Sequence, residues 1–237
     1  MKKDLENKFT ELEKKLEVNF KNKNLLIQAF IHRSYINENA KTNLNHNERL
    51  EFLGDAVLEL IATNYLYHKY PDLSEGELTG YRAALVNTNT LGDLAKDLNF
   101  NDYLFLSKGE SKDFGRARIS ILADTYESVI GAIFLDQDYE KAKDFVEKTL
   151  LIQTDKIIEA GKYKDAKSKI QEFSQEKLSI TPNYKVLEET GPDHDKNFVV
   201  GIYFKEEKIA QGQGRSKQEA ETEAAKNALA KMNWGQK

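Results

Sequence analysis

Up to about residue 160 the apolar positions recur at helical spacing, and beyond residue 165 several alternate instead. Residues 1–30 read as amphipathic helix. Leu12, Leu16 and Phe20 share a face, Asn22, Lys23 and Asn24 interrupt it, and LLIQAFIHRSY resumes it. Asn37 to Asn47 is polar and Asn-rich, as a loop would be. The stretch His46 to Leu60 opens a helix that should run to about Tyr70, where Pro71 closes it. At about 100° per residue, Glu48, Glu51 and Asp55 fall within roughly 60° of one another. Leu50, Leu53, Val57, Leu60 and Ile61 fall opposite them as a core stripe. Ser74 and Glu77 make a capping-box pattern before LTGYRAALVN, and Thr90 to Leu98 reads as a short helix. Leu106 to Ile119 reads as a loop. Ser120 to Leu135 is an almost wholly apolar helix that carries Asp124 and Glu127 on one face. Gly131 and Ala132 would let another helix approach it closely. Asp138 to Ile158 reads as a charged amphipathic helix, with Glu159 to Lys162 as its stop and a short linker.

The last third has a different texture. Ser168 to Lys177 reads as a helix, followed by Pro182. Asn183 to Glu189 and Asn197 to Phe204 read as strands. In the second of these, Phe198, Val200, Ile202 and Phe204 alternate with Val199, Gly201 and Tyr203. Gly191 to Asp195 is the loop between them, and Lys205 to Glu207 turns into a third strand, Lys208 to Gly212. From Ser216 onward a helix presents Ala220, Ala224, Ala225 and Ala228 to the sheet, and Ser216 with Glu219 makes another capping-box pattern. The order is helix, three strands, helix.

Composition narrows what this frame can do. A chain of 237 residues, 40% hydrophobic and 31% charged, suits two modest domains with packed cores. It contains no cysteine, which excludes disulfides, zinc–thiolate sites and thiol catalysis. No apolar run is long enough to span a membrane, and the N-terminus is polar, so a soluble cytoplasmic protein is expected. The net charge of −4 means that any nucleic-acid contact must come from locally placed Lys and Arg or from bridging cations.

Six carboxylates draw the eye: Glu48, Glu51, Asp55, Glu75, Asp124 and Glu127. Each has an ordinary explanation. A solvated acidic face accounts for the first three as well as a cation would. Glu75 sits in a first turn, where it favours the helix dipole, and Asp124 with Glu127 could be capped or salt-bridged. Taken together, all-oxygen ligation suits Mg²⁺ or Mn²⁺ and does not suit zinc. A di-iron bundle needs Glu-x-x-His pairs, and the residues three after Glu48, Glu51 and Glu127 are Glu51, Gly54 and Ile130. Neither His32 nor His46 has an obvious serine partner, so each reads as a capping or packing residue. There is no phosphate-cradling glycine loop of the nucleotide-binding type. Metal-assisted hydrolysis of a phosphodiester is the chemistry that remains. Gly214-Arg215-Ser216-Lys217, opening a helix, offers backbone N–H groups and two cations as an anion site.

These residues carry a resemblance. NERLEFLGDAVL, SEGELTGYRAALVNTNTL and SILADTYESVIGAIFLD together resemble the signature segments of bacterial ribonuclease III. KIQEFSQEK, GPDHDKNFVV and GQGRSKQEAETEAAKNAL resemble a double-stranded RNA-binding domain, and the resemblance runs from about Phe9 to Met232. It implies an α+β protein of two domains. An all-α ribonuclease III catalytic domain would span 8–138, a C-terminal helix and linker 139–164, and an α-β-β-β-α binding domain 165–233. It implies a Mg²⁺-dependent homodimer, with Mn²⁺ able to substitute, that cuts double-stranded RNA to 5′-phosphate and 3′-hydroxyl ends with a stagger. It also implies processing of ribosomal precursor RNA and of some messenger and transfer RNA precursors.

Residue by residue, Glu51, Asp55, Asp124 and Glu127 match the family's metal-coordinating carboxylates, with Asp55 and Glu127 as the catalytic pair. Glu48 and Glu75 match accessory acidic positions, and Phe52 matches an aromatic that enters a socket on the partner subunit. Gln171 and Glu172 match contacts to one minor groove, and His194 matches the contact to the next. Arg215 and Lys217 match phosphate contacts between the two grooves. Such a domain covers roughly 16 base pairs and reads shape more than sequence. Two departures stand out. Lys217-Gln218-Glu219 occupies a place where many relatives carry consecutive basic residues, which implies a shallower salt dependence, and the loop between Ser34 and Asn47 is somewhat long. The alternatives are a non-catalytic double-stranded RNA-binding protein that retains the fold, and a carboxylate-bundle metalloenzyme for a small molecule. The intact carboxylates argue against the first and the appended module against the second.

Overall fold

The computed structural model describes residues 2–39, 44–112, 115–159, 166–192 and 196–234, with side chains from residue 7 onward. It forms two compact units, Met1–Tyr163 and Lys164–Lys237.

The first unit is helical: α1 (Lys2–Leu16), α2 (Lys23–Ala29), α3 (Arg33–Glu38), α4 (Glu48–Lys69), α5 (Glu75–Val86), α6 (Thr88–Asp97), α7 (Arg116–Asp136), α8 (Tyr139–Thr149) and α9 (Thr154–Glu159). Its axis is the pair α4 and α7. A Cβ added to Gly54 would overlap the carbonyl oxygen of Glu127, and one added to Gly131 would overlap that of Leu50. The two backbones therefore touch at these glycines and run in opposite senses through the contact. Around the pair, Phe9, Phe30, Phe100, Tyr126 and Phe145 form a buried aromatic cluster, with Phe30 and Phe100 edge to face at 5.0 Å.

Several expectations change. Phe20 is not part of a helix: α1 ends at Leu16, and Glu17 follows at φ 54 in the left-handed region. The turn is held by side chains. The Phe20 N–H donates to the buried Glu13 carboxylate at 2.9 Å, and Glu13 also pairs with Lys23. Lys21 and Asn22 N–H groups donate to Asp136, each at 2.7 Å. The break at Asn22 is the N-cap of α2, whose Asn22 oxygen accepts the Asn24 N–H. The polar stretch after residue 36 is helical to Glu38, and the expected loop before Ile119 gives way to α7 at Arg116. Asp138 to Ile158 is not one helix. The Leu151 carbonyl accepts from the Thr154 and Tyr65 hydroxyls, so the helical ladder breaks there into a 3₁₀ turn before α9.

Leu60 is 58% exposed and not part of the core. The buried side of α4 is Leu50, Val57, Leu58, Ile61, Ala62 and Leu66. At about 100° per residue, Leu58 and Ala62 lie on the same side of the helix as Glu51. The acidic face thus borders the core instead of opposing it, which is how Glu51 comes to be half-buried.

The second unit comprises α10 (Ala166–Leu178), β1 (Asn183–Thr190), β2 (Asn197–Phe204), β3 (Glu207–Gly214) and α11 (Lys217–Lys231). The strands are antiparallel in the order β1-β2-β3, with register shifts between Val186 and Glu188 and between Ile202 and Tyr203. Ile202 and Phe204 of β2 pack with Ile170 of α10 and with Ala224, Ala225, Ala228 and Leu229 of α11. The alternation read in β2 and the small-residue face read in α11 are therefore two sides of one core. Asn233, at φ 54, ends α11, and the Trp234 N–H donates back to Leu229 O at 2.9 Å. That closure stacks Trp234 on Phe204, with ring centroids 5.9 Å apart.

Candidate functional site

Asp124 and Glu127 of α7 and Glu51 of α4 each offer a carboxylate oxygen, and the three oxygens lie within 4.8 Å of one another. The approach of two helices makes this possible. Leu50 and Gly54 of α4 flank Glu51, and they meet Gly131 and Glu127 of α7 backbone to backbone. All three carboxylates are half-buried, and among the described residues none has a basic side chain paired with it. The electrostatics follow from this. Burial first, then the neighbouring carboxylates, push Glu127 up to about 8 and Glu51 up to about 7, and burial raises Asp124. Without a cation, the cluster therefore holds on to protons near neutrality.

Of the six carboxylates singled out in the sequence, three converge here. Asp55 is exposed and lies at the rim. It is outside the tight trio but close enough to raise both Glu127 and Glu51. Glu48 is also exposed, and its charge helps to raise the Glu51 pKa. It is not without basic company, since Arg33 of α3 approaches to 3.6 Å and His46 to 3.7 Å. Glu75 lies outside the cluster, in the first turn of α5, where it accepts a hydrogen bond from the Thr79 hydroxyl at 3.2 Å. The box at that helix start is complete, with Ser74 and Glu77 bonding reciprocally.

His32 does have a serine partner: its Nδ1 lies 2.8 Å from Ser34 Oγ and accepts the Ser34 N–H as the cap of α3. Burial lowers its pKa, so it is a neutral capping residue. Phe52, one residue from the cluster, is 81% exposed.

A divalent ion of the Mg²⁺ kind holds oxygens at about 2.1 Å, which puts adjacent ligands about 3 Å apart. An all-carboxylate trio whose oxygens lie within 4.8 Å of one another, with excess negative charge, is of the donor type such an ion takes and needs only a small closing-in of the side chains to hold it.

In the second unit, Gln171 and Glu172 are exposed on α10, and Arg215 and Lys217 are exposed at the start of α11. Lys217 Nζ stands 5.6 Å from the centre of the Phe198 ring. His194 lies outside the described residues. The cap of α11 differs from a reciprocal box. Ser216 Oγ accepts the Glu219 N–H, but the Glu219 carboxylate returns to the N–H of Arg215, at 2.9 Å. The Arg215 and Glu219 N–H groups at this helix start are thus engaged by the cap itself, and the Arg215 and Lys217 side chains stand exposed beside it.

Reading the sequence missed Gly54, Asn47, Ser128 and Arg33. Only Gly54 left a signal, because glycine in the middle of a strong helix costs about 1 kcal/mol relative to alanine and so asks for a reason.

The Ribonuclease-III-like family matches residues 22–154, and the double-stranded RNA binding motif matches residues 166–232. Ribonuclease 3 of Enterococcus faecalis is 45% identical over 223 residues, 93% of this chain and 95% of that protein. Ribonuclease 3 of Streptococcus pneumoniae is 45% identical over 225 residues, 94% of this chain and 95% of that protein. The nuclease domain of ribonuclease III from Campylobacter jejuni superposes with a TM-score of 0.54 at 42% identity, over 62% of this chain and 94% of that domain. A second structure of that domain, describing flexibility in a region involved in its dimer formation, superposes at 0.52 and 43% identity, over 58% and 95%. A helical nuclease domain followed by an α-β-β-β-α domain, matched along nearly its whole length, places the chain in the ribonuclease III family of double-stranded-RNA endoribonucleases.

Proposed function

We propose that the chain is a homodimeric, Mg²⁺-dependent endonuclease. It hydrolyses RNA duplexes to 5′-phosphate and 3′-hydroxyl ends, acts on ribosomal precursor RNA and on some messenger and transfer RNA precursors, and works with Mn²⁺ in place of Mg²⁺. The observation that carries this reading is the trio Glu51, Asp124 and Glu127, whose oxygens crowd within 4.8 Å with no basic partner among the described residues. A chain that only bound RNA would be poorly served by a cluster that repels phosphate.

Glu51, Asp124 and Glu127 would hold the ion, with Asp55 completing the set from the rim. When bound, the ion supplies an activated water and neutralises charge on the phosphate. Asp55 and Glu127 are the catalytic pair. Glu127 anchors from the buried side, and the exposed Asp55 is within reach of arriving water and can orient it or accept its proton. Glu48, steadied by Arg33, and Glu75 are accessory acids that shape the approach of the RNA. The RNA is gripped by residues 165–233. Gln171 and Glu172 face one minor groove and His194 the next, and Arg215 and Lys217 hold the phosphates between them. Residues 8–138 are the catalytic domain, and 139–164 lead out of it. No described helix is long and apolar enough to cross a membrane, and the proposed place of action is the cytoplasm.

The test is a long RNA duplex incubated with Mg²⁺ and then with EDTA, followed by end mapping. Staggered cuts with 5′-phosphates in Mg²⁺ only are expected. Cutting that survives EDTA, or no cutting of the duplex, would sink the reading. The exposed Phe52 supports pairing with a second copy. Phe52→Ala is expected to shift the particle toward monomer in sedimentation, and an unchanged dimer would remove that role.

A further inference from the structure

An asparagine at a helix N-cap ordinarily accepts an N–H from the first turn through its side-chain oxygen. Asn47, which precedes α4, makes no such bond. It is 2% exposed, and its amide nitrogen donates away from the helix to Ala29 O at 3.2 Å. Its backbone N–H donates to Ile31 O at 2.9 Å, and Gln28 donates to the preceding carbonyl, that of His46, at 3.1 Å. The segment at the other end of these bonds is itself anchored. The Phe105 N–H donates to Phe30 O at 2.9 Å, and the His32 N–H donates to Phe105 O at 3.1 Å. The start of α4 is thus tied by three hydrogen bonds to residues 28–31, a segment itself held by Phe105.

The Asn47 carbonyl has a second distinction. It accepts the Leu50 N–H at 2.8 Å, the Glu51 N–H at 3.0 Å and, from the other helix, the hydroxyl of the fully buried Ser128 at 3.4 Å. Ser128 follows Glu127 in α7. One oxygen therefore binds the backbone of a carboxylate residue in one helix and the neighbour of a carboxylate residue in the other. The Gly54 and Gly131 contact sets how close α4 and α7 come, but a glycine surface offers little against sliding. A slide of one residue is about 1.5 Å, comparable with a metal–oxygen bond.

We propose that Asn47, with Ser128 as its counterpart, is a positioning residue of the carboxylate centre: it fixes the axial register of α4 against α7 and so the spacing of Glu51 from Asp124 and Glu127. This inference rests on the metal-site reading above. The test uses the full chain without RNA and measures Mn²⁺ binding by calorimetry, alongside thermal unfolding in EDTA. Four variants are compared with wild type: Asn47→Ala, Ser128→Ala, Glu127→Gln and Thr154→Ala. Thr154 is a buried hydroxyl bonded to Leu151 O and is part of α9, outside the α4–α7 contact.

Ser128→Ala and Asn47→Ala are expected to weaken Mn²⁺ binding by about tenfold or more, the lower end of what groups that orient ligands usually contribute. Thr154→Ala is expected to lower the melting temperature with unchanged Mn²⁺ affinity. Wild-type affinity in Ser128→Ala and Asn47→Ala, whatever their melting temperatures, overturns the positioning role. If Asn47→Ala does not fold, Ser128→Ala decides. Wild-type affinity in Glu127→Gln would remove the metal site itself, a failure distinct from the positioning one.

Discussion

The two units treat charge in opposite ways. In the nuclease unit, acidic groups from two helices are packed together, half-buried and without a basic partner among the described residues, and their pKa values rise. In the RNA-binding unit, the matched groups stand exposed, Gln171 and Glu172 on α10 and the cations Arg215 and Lys217 at the start of α11. The contrast matches the two tasks. Concentrating a cation calls for electrostatic strain that the folded chain holds in place, while gripping a regular polyanion calls for cations free to reach outward. It also means that the first site depends on exact packing and the second mostly on composition.

The sharpest way to break the comparison is to neutralise one buried acid. Glu127→Gln is expected to reduce cleavage by roughly three orders of magnitude or more while duplex affinity, measured in Ca²⁺ or EDTA, stays within about twofold. Cleavage near the wild-type rate would show that the crowded acids are not the site.

Next is a change to packing with no change in charge. Gly54→Ala drives a methyl into the Glu127 carbonyl and must push α4 from α7. Overpacking of this kind costs about 1–3 kcal/mol, which corresponds to a melting temperature lower by roughly 2–10 °C. Mn²⁺ affinity should fall with it. A variant with normal stability and metal affinity would mean that the close approach is dispensable.

A smaller effect is expected in the other unit. Arg215→Ala with Lys217→Ala should weaken duplex binding about tenfold. It should also flatten the dependence of log affinity on log salt by about two, with the cleavage rate at saturating duplex unchanged. An unaltered salt slope would remove these side chains from the phosphate contacts.

The smallest is a pH effect on the metal-free protein. The unfolded chain releases the Glu51 and Glu127 protons near 4.5, whereas the folded unit holds them to about 7 and about 8. Groups with raised pKa stabilise the fold fully below the unfolded value and lose that contribution as pH climbs through the folded one. In EDTA the melting temperature followed by circular dichroism should therefore fall by a few degrees between pH 5 and pH 8.5, a modest change because both groups are partly solvated. Mg²⁺ should restore it at the upper end, and Glu127→Gln should flatten the slope. A melting temperature in EDTA that rises with pH contradicts the picture.

Much of this was legible before any coordinates. The 22-residue α4, expected to run to about Tyr70, ends at Lys69 with Tyr70 as its cap, because Pro71 acts locally. The capping residue Ser74 lies where short-range chemistry puts it, and the break read at Asn22 and the helix start read at Asp138 are the N-caps of α2 and α8. The strands of the second unit follow their alternation, each to within two residues. What failed was long-range. Phe20 continues the spacing of α1 but stands beyond a left-handed Glu17, because Glu13, Lys23 and Asp136 pin the turn from other parts of the chain. Leu60 looks like core but faces outward, because periodicity says which residues share a face and not which faces find a neighbour. Asn47 looks like an ordinary cap, and only its distant acceptor, Ala29 O, shows otherwise.

The candidate centre divides along the same line. Spacing along the chain puts Glu51 near Asp55, and Asp124 near Glu127, because helical periodicity is a property of the backbone alone. The lack of cysteine removes thiolate ligands, and the lack of Glu-x-x-His pairs removes a di-iron carboxylate bundle, before the chain folds. Nothing in those patterns says that the two acidic pairs meet, or that Glu75 stays apart. That is settled where Gly54 and Gly131 let two backbones touch, because only there do burial and mutual repulsion act on Glu51, Asp124 and Glu127 together and turn separate acids into one cluster.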